Sequence, residues 1–94
     1  MSPLQAALHL VVSGVVQGVG FRYFAARLAH RYHLTGYVRN LPQGTVEIEA
    51  EGDRGLLGDF LKEITIGPRA GHVSDVDVQW KPYSAAYTSF RIRF

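Results

Sequence analysis

The sequence of 94 residues contains no cysteine. This absence excludes disulfide bonds, thiol nucleophiles, thiolate metal ligands and iron–sulfur clusters. It also removes the usual signature of a secreted scaffold, so we expect a protein of the reducing cytoplasm. No apolar run approaches the roughly 18 residues of a membrane span, and the first residues lack the basic segment of a signal peptide. We therefore expect a single globular domain over residues 1–94, with no membrane partner.

Acidic residues are missing from the first half of the chain. Residues 1–46 contain four arginines and neither aspartate nor glutamate, whereas all eight acids lie between residues 47 and 77. The formal charge of +2 is the net result of this uneven distribution. Segregation of this kind indicates an anionic partner on the side of the first half, unless surface charges are so distributed by chance.

The apolar periodicity predicts five strands and two helices. Alternation predicts strands at residues 7–13, 36–41, 45–51, 72–80 and 88–94. A spacing of three to four predicts helices at residues 21–33 and from a cap at Asp53 to the pair Gly67-Pro68. This order is that of an α+β, ferredoxin-like βαββαβ sandwich: an antiparallel sheet with two helices on one face, plus a short C-terminal strand. In it the first two strands are parallel with the third between them, which brings the loop that follows Gly14 close to Asn40.

A glycine-rich loop joins the first strand to the first helix. Glycine lets backbone N–H groups turn inward, and together with the free donors of a helix start they form an anion-binding nest. Arg22 lies in the first helical turn, where a cation opposes the helix dipole, so we expect its guanidinium to serve a ligand. The segment lacks the spacing of a dinucleotide loop and the Gly-Lys-Ser/Thr of a nucleotide P-loop. Phosphate binding and a purely structural turn both remain open on these residues alone.

Two motifs resemble the signatures of the acylphosphatase family. They are Gly14-x-Val16-Gln17-Gly18-Val19-Gly20-Phe21-Arg22 and Gly36-Tyr37-Val38-Arg39-Asn40-Leu41-Pro42-x-Gly44-x-Val46-Glu47. The similarity continues more loosely to the C-terminal strand, and its one small departure is Val15, where the family often carries a polar or basic residue. The resemblance implies a small stand-alone hydrolase that cleaves the carboxyl–phosphate bond of acyl phosphates.

The resemblance also implies roles for individual residues. Arg22 would bind the phosphate oxygens and Asn40 would orient the attacking water. The backbone N–H groups that would hold the phosphate are those of Gln17, Gly18, Val19, Gly20, Phe21 and Arg22. Because the chain has no thiol and an acyl phosphate has a good leaving group, we expect direct attack by water without a cofactor or a metal. We further expect a monomer, with inorganic phosphate as product and competitive inhibitor.

Other functions fit the same fold. RNA-recognition domains share it, but here the third strand is expected to expose Glu47, Glu49 and Glu51, which repel phosphate, so we expect no nucleic-acid partner. Domains like acylphosphatase also occur inside larger proteins, such as hydrogenase-maturation carbamoyltransferases. An anion nest could also bind a ligand without turnover. The sequence does not identify the physiological acyl phosphate.

Several polar residues receive no functional role. His30 and His33 are spaced like the start of a metal site, but no third ligand is evident, so we expect solvated histidines near a helix end. His9 and His72 have no identifiable partner in the sequence. Arg27 and Arg31, four residues apart, are predicted to lie on a solvated helix face.

Overall fold

Five strands and two helices follow one another in the predicted order. A computed structural model describes residues 4–94. Its elements are β1 (Gln5–Val15), α1 (Phe21–Arg31), β2 (Thr35–Asn40), β3 (Val46–Asp53), α2 (Arg54–Ile66), β4 (His72–Pro82) and β5 (Phe90–Arg93). The predicted boundaries hold to within a few residues. The Asp53 side chain caps α2 as predicted, because its Oδ1 accepts a hydrogen bond of 3.0 Å from the Leu56 N–H.

The strands form one sheet in the order β4-β1-β3-β2-β5. β1 and β2 each pair antiparallel with β3, so they run parallel to each other and their carboxyl ends share one edge, as predicted. β5 pairs parallel with β2, which makes the sheet mixed rather than antiparallel. The antiparallel pairing predicted for the βαββαβ strands is confirmed, and the parallel pair arises from the added C-terminal strand. Its position could not be predicted, because the chain crosses from β4 at one edge to β5 at the other, a long-range connection without a local sequence signal.

The core lies between the sheet and the two helices. Alternate residues of the central strands face the helices, since side chains of a strand point to opposite faces in turn. The fully buried side chains at this interface include Leu8, Leu10, Val12, Phe21, Ile48, Leu57, Phe60 and Ile64. Burial of an aliphatic or aromatic side chain contributes about 1.5–3 kcal/mol, so this layer fixes the helices on the sheet. Neither helix of the described residues has the length and hydropathy needed to cross a bilayer.

The glutamates of β3 are not the solvated stripe that their alternation predicted. Glu49 and Glu51 are only 7% and 3% exposed. Glu51 accepts hydrogen bonds from the Ser84 N–H (3.1 Å), the Ser84 hydroxyl (2.7 Å) and the Ala86 N–H (3.0 Å). The prediction was wrong because the connection from β4 to β5 covers this face of the sheet. Glu49 and Glu51 therefore do not form the exposed carboxylate face that was expected to repel nucleic acid.

Glu47, the third of these glutamates, is held by groups on both neighbouring strands. Its carboxylate lies 2.8 Å from His9 Nε2 and accepts a hydrogen bond of 2.5 Å from Arg39 Nε. Burial by itself would raise the pKa of Glu47, but hydrogen bonds from His9, Arg39 and Tyr37 outweigh it and the pKa is lowered. The ionised carboxylate thus stabilises the pairing of β1, β3 and β2.

The lowered pKa of Glu47 predicts a loss of stability in acid. A group with a lowered folded-state pKa stabilises the protein above its unfolded value, about 4.3 for glutamate, and this contribution disappears as pH falls through the folded-state pKa. We expect Glu47→Gln to lower the unfolding free energy by about 1–3 kcal/mol at pH 7 and to flatten its decline below pH 5. Denaturant unfolding at several pH values measures the unfolding free energy of the variant and its dependence on pH. Plots of unfolding free energy against pH that run parallel for the wild type and Glu47→Gln would contradict the prediction.

Candidate active site

The loop between β1 and α1 owes its shape to two glycines. Gly18 and Gly20 both have φ of +76°, in the left-handed region that other residues rarely adopt. A Cβ at either position would meet no atom within 4 Å. Backbone conformation rather than lack of space therefore requires glycine at these two positions.

The start of α1 offers unpaired hydrogen-bond donors to this loop. Gly20 is the N-cap and supplies no side chain, and the first turn contains no acidic residue. The Phe24 N–H bonds to the Gly20 carbonyl at 3.0 Å, which leaves the N–H groups of Phe21, Arg22 and Tyr23 without an acceptor inside the helix. Together with the partial positive charge of a helix N-terminus, these donors favour an anion.

Arg22 is held by the C-terminal end of β5. Its Nη1 donates a hydrogen bond of 3.3 Å to the Arg93 carbonyl, and its guanidinium lies 4.6 Å from the centroid of the Phe94 ring. No sequence pattern pointed to Arg93 or Phe94 at the site, because their position depends on the parallel pairing of β5 with β2. The guanidinium is thus restrained at the rim of the loop before any ligand binds.

Asn40, the last residue of β2, presents an unusual polar atom. Its Oδ1 is buried and has no hydrogen-bond partner within residues 4–94. An unsatisfied buried acceptor costs about 1–3 kcal/mol, so such an atom is expected to receive a donor that completes the site. A water molecule or a ligand hydroxyl is the kind of donor that fits.

These groups surround one depression of about 100 Å³. The lining residues are Val16, Gly18, Gly20, Phe21, Arg22, Tyr23 and Asn40. The structure therefore brings together five of the seven predicted site residues. Gln17 and Val19 do not line the depression, while Val16 and Tyr23 were missed. Val16 is apolar and Tyr23 follows the last residue of the first motif, so no sequence signal distinguished them.

The Gln17 side chain connects the glycine loop to the turn that follows β2. Its Nε2 donates two hydrogen bonds of 2.8 Å, to the carbonyls of Leu41 and Thr45. These acceptors belong to the turn between β2 and β3, which begins directly after Asn40. Gln17 therefore ties the glycine loop to the segment that carries Asn40.

Removing this tie is expected to affect both stability and catalysis. Gln17→Ala loses two hydrogen bonds, each with a net contribution of about 1 kcal/mol, so unfolding free energy should fall by about 1–2 kcal/mol. Activity should fall by about tenfold or more, since misplacement of one group by 1 Å can cost about 10²-fold. Denaturant unfolding and steady-state kinetics measure the two effects, with the exposed Gln79→Ala as control. Equal behaviour of both variants would refute the role of Gln17.

The remaining polar residues lie outside the depression. Arg27 and Arg31 are exposed on α1, and Arg31 Nη1 lies 3.9 Å from Glu63 Oε1. His30 Nε2 lies 3.3 Å from the Phe90 carbonyl. Within residues 4–94, no three histidine, aspartate or glutamate side chains are grouped so that they could hold a metal ion.

The loop donors, Arg22 and Asn40 thus surround one small depression in a domain of ferredoxin-like fold. The model of the family described as Acylphosphatase matches residues 8–92. An acylphosphatase of Chlorobaculum tepidum is 45% identical over 85 residues, which are 90% of this chain and 92% of that relative. The crystal structure of acylphosphatase from Bacillus subtilis matches with a TM-score of 0.91 at 35% identity, over 95% of this chain and 99% of that chain. The chain belongs to the acylphosphatase family, and the prediction from the two motifs is confirmed.

A second type of relative is much longer. Full-length HypF, crystallised in a phosphate- and nucleotide-bound form, matches this chain with a TM-score of 0.86 at 29% identity. The match covers all of this chain but 12% of that one. The same domain thus also forms a small part of a larger protein.

Proposed function

We propose that this acylphosphatase hydrolyses acyl phosphates in the depression between the glycine loop and Asn40. The products are a carboxylate and inorganic phosphate. One observation carries the proposal: Asn40, whose buried Oδ1 has no hydrogen-bond partner within residues 4–94, lines the same depression as Arg22 and the start of α1. Anion donors and a group suited to hold a water molecule therefore adjoin a single small space.

The phosphate is bound by the backbone and by one guanidinium. The N–H groups from Gln17 to Arg22 point their positive ends at its oxygens, and Arg22 adds a charged fork. Gln17 and Val19 remain in this set because they belong to the same loop, although they do not line the depression. Charge spreads over the three equatorial oxygens during phosphoryl transfer, so these fixed donors stabilise the transition state.

Asn40 positions the attacking water. Its Oδ1 accepts a hydrogen bond from the water, which directs an oxygen lone pair of the water at phosphorus. The bond from the water oxygen to phosphorus forms while the bond from phosphorus to the acyl oxygen breaks, and the electron pair leaves with the carboxylate. Among the described residues that line the depression there is no carboxylate or imidazole, so the water proton passes to a phosphate oxygen.

The leaving group needs no protonation. A carboxylic acid has a pKa of about 4, so the carboxylate departs as an anion at neutral pH. No general acid, covalent intermediate or metal is required in this scheme. One chain supplies all the proposed groups, which supports a monomer as the active unit.

Hydrolysis of benzoyl phosphate in ¹⁸O-labelled water, with a metal chelator present, tests this scheme. We expect undiminished turnover, with the label in inorganic phosphate and none in benzoate, because water attacks phosphorus. Inorganic phosphate should inhibit competitively, since it occupies the same donors. Label in benzoate would refute attack at phosphorus, and loss of turnover with chelator would refute a metal-independent reaction. Binding of the substrate without turnover would make the chain a binding module.

A further inference from the structure

A second group of basic residues lies outside the proposed active site, beside β5. It borders a cavity of about 200 Å³ whose lining includes Gly36, Tyr87, Thr88, Ser89, Arg91 and Arg93. Neither Arg22 nor Asn40 contributes to this lining. The cavity is therefore distinct from the depression in which hydrolysis is proposed.

The walls of this cavity are fixed by contacts of buried residues. The segment that enters it is anchored where Glu51, 3% exposed, accepts hydrogen bonds from Ser84 and Ala86. Further along, the Ser89 carbonyl accepts a hydrogen bond of 2.9 Å from the Gly36 N–H. The Tyr87 ring packs edge-on against the ring of the buried Tyr37, at 5.9 Å between centroids.

The Tyr37 ring also contacts the side chain of Arg93. Its guanidinium lies 3.8 Å from the centroid of the Tyr37 ring, a cation–π contact. Arg91 precedes it by two residues, so both side chains leave the same face of β5. The cavity thus has one restrained guanidinium and a second one on the same side.

The positive charges of Arg91 and Arg93 have no acidic partner in the part of the chain that the structure describes. Within residues 4–94, neither Arg91 nor Arg93 takes part in an ion pair, and no acidic residue lines the cavity. The nearby carboxylate of Glu47 is bound by His9 and Arg39 instead. Two adjacent like charges repel each other, and a bound anion would remove this repulsion.

We propose that this cavity is a second anion site that takes a phosphate group. Guanidinium groups present paired N–H donors that match the spacing of phosphate oxygens. Thr88 and Ser89 also line the cavity, and their hydroxyls are neutral groups able to donate to a phosphate oxygen. The small volume favours a single phosphate group, free or carried by a small phosphorylated molecule, over a nucleic-acid strand. The two sites adjoin at Arg93, whose backbone carbonyl accepts a hydrogen bond from Arg22. The proposal does not depend on the proposed catalytic roles, because it rests on the guanidinium groups of Arg91 and Arg93.

Amide chemical shifts during titration of the full chain with inorganic phosphate test this site. We expect two groups of responding amides, one at residues 18–23 and the other at residues 87–91. In Arg91→Gln the apparent Kd of the second group should rise about tenfold, the effect of losing about 1.4 kcal/mol of binding energy. The response of the first group and kcat/KM for benzoyl phosphate should stay as in the wild type. The exposed Arg69→Gln, with the same change of charge, should leave both groups unchanged.

Two results would overturn the site. One is a response confined to residues 18–23, and the other is an unchanged second response in Arg91→Gln. A parallel titration with O-phosphoserine identifies the source of the phosphate group. Tighter binding than that of inorganic phosphate supports a phosphorylated small molecule, and equal or weaker binding supports free phosphate. Failure of this site would leave turnover of benzoyl phosphate intact, so it is distinguishable from failure of the proposed function.

Discussion

Replacement of Arg22 by alanine is expected to reduce kcat/KM for benzoyl phosphate by at least about 10²- to 10³-fold. This is the usual effect of losing one preorganised donor, and a charged donor at a developing phosphate charge contributes more. Inhibition by inorganic phosphate should weaken in parallel, because the same guanidinium binds the product. Arg22→Lys should recover only part of the loss, since an ammonium keeps the charge but lacks the planar fork.

The control for this prediction is Arg27→Ala on the same helix. Arg27 is exposed and does not line the depression, so removal of its charge should change kcat/KM little. Circular dichroism and denaturant unfolding establish that each variant is folded. A folded Arg22→Ala protein with wild-type turnover would refute the assignment of Arg22 as the chief phosphate ligand.

Asn40→Ala is expected to reduce kcat by about 10²-fold or more, with little change in the inhibition constant of inorganic phosphate. The reason is that Asn40 acts on the water, and loss of positioning affects the rate of attack more than binding of the anion. Its stability should not fall with its activity. Within residues 4–94 the Asn40 Oδ1 accepts no hydrogen bond from the protein, so the variant loses no such bond.

Steady-state kinetics, phosphate inhibition and denaturant unfolding together decide the role of Asn40. Gln43→Ala serves as the control, since this amide lies exposed in the adjacent turn and does not line the depression. A variant that keeps kcat but binds phosphate weakly would reassign Asn40 to substrate binding. A large loss of unfolding free energy would instead mark it as a structural residue.

The restraint on the Arg22 side chain explains part of the expected loss of kcat/KM in Arg22→Ala. A free arginine has many side-chain conformations, and fixing them on binding costs conformational entropy of about 1.5–2 kcal/mol. The Arg93 carbonyl and the Phe94 ring already restrict the guanidinium. The C-terminal end of β5 therefore belongs to the architecture of the site, although it lies outside both sequence motifs.

The acidic residues show where local pattern misleads. Alternation along β3 correctly identified which side chains share a face, because a strand always directs successive side chains to opposite sides. It could not reveal whether that face meets water. The connection that covers Glu51 begins more than 30 residues further along the chain, and only the folded chain brings the two together.

The absence of cysteine and the order of apolar periods determined much about this protein from the sequence alone. They excluded thiol chemistry, fixed the βαββαβ arrangement and placed the glycine loop beside Asn40, because these features depend on short-range spacing and on the few ways in which such strands connect. Tertiary structure decided the rest: the parallel position of β5, the capture of Arg22 by its end, the tie from Gln17 and the burial of the β3 glutamates. Each of these depends on contacts between residues distant in sequence, and no local pattern encodes which distant backbone group will meet a given side chain.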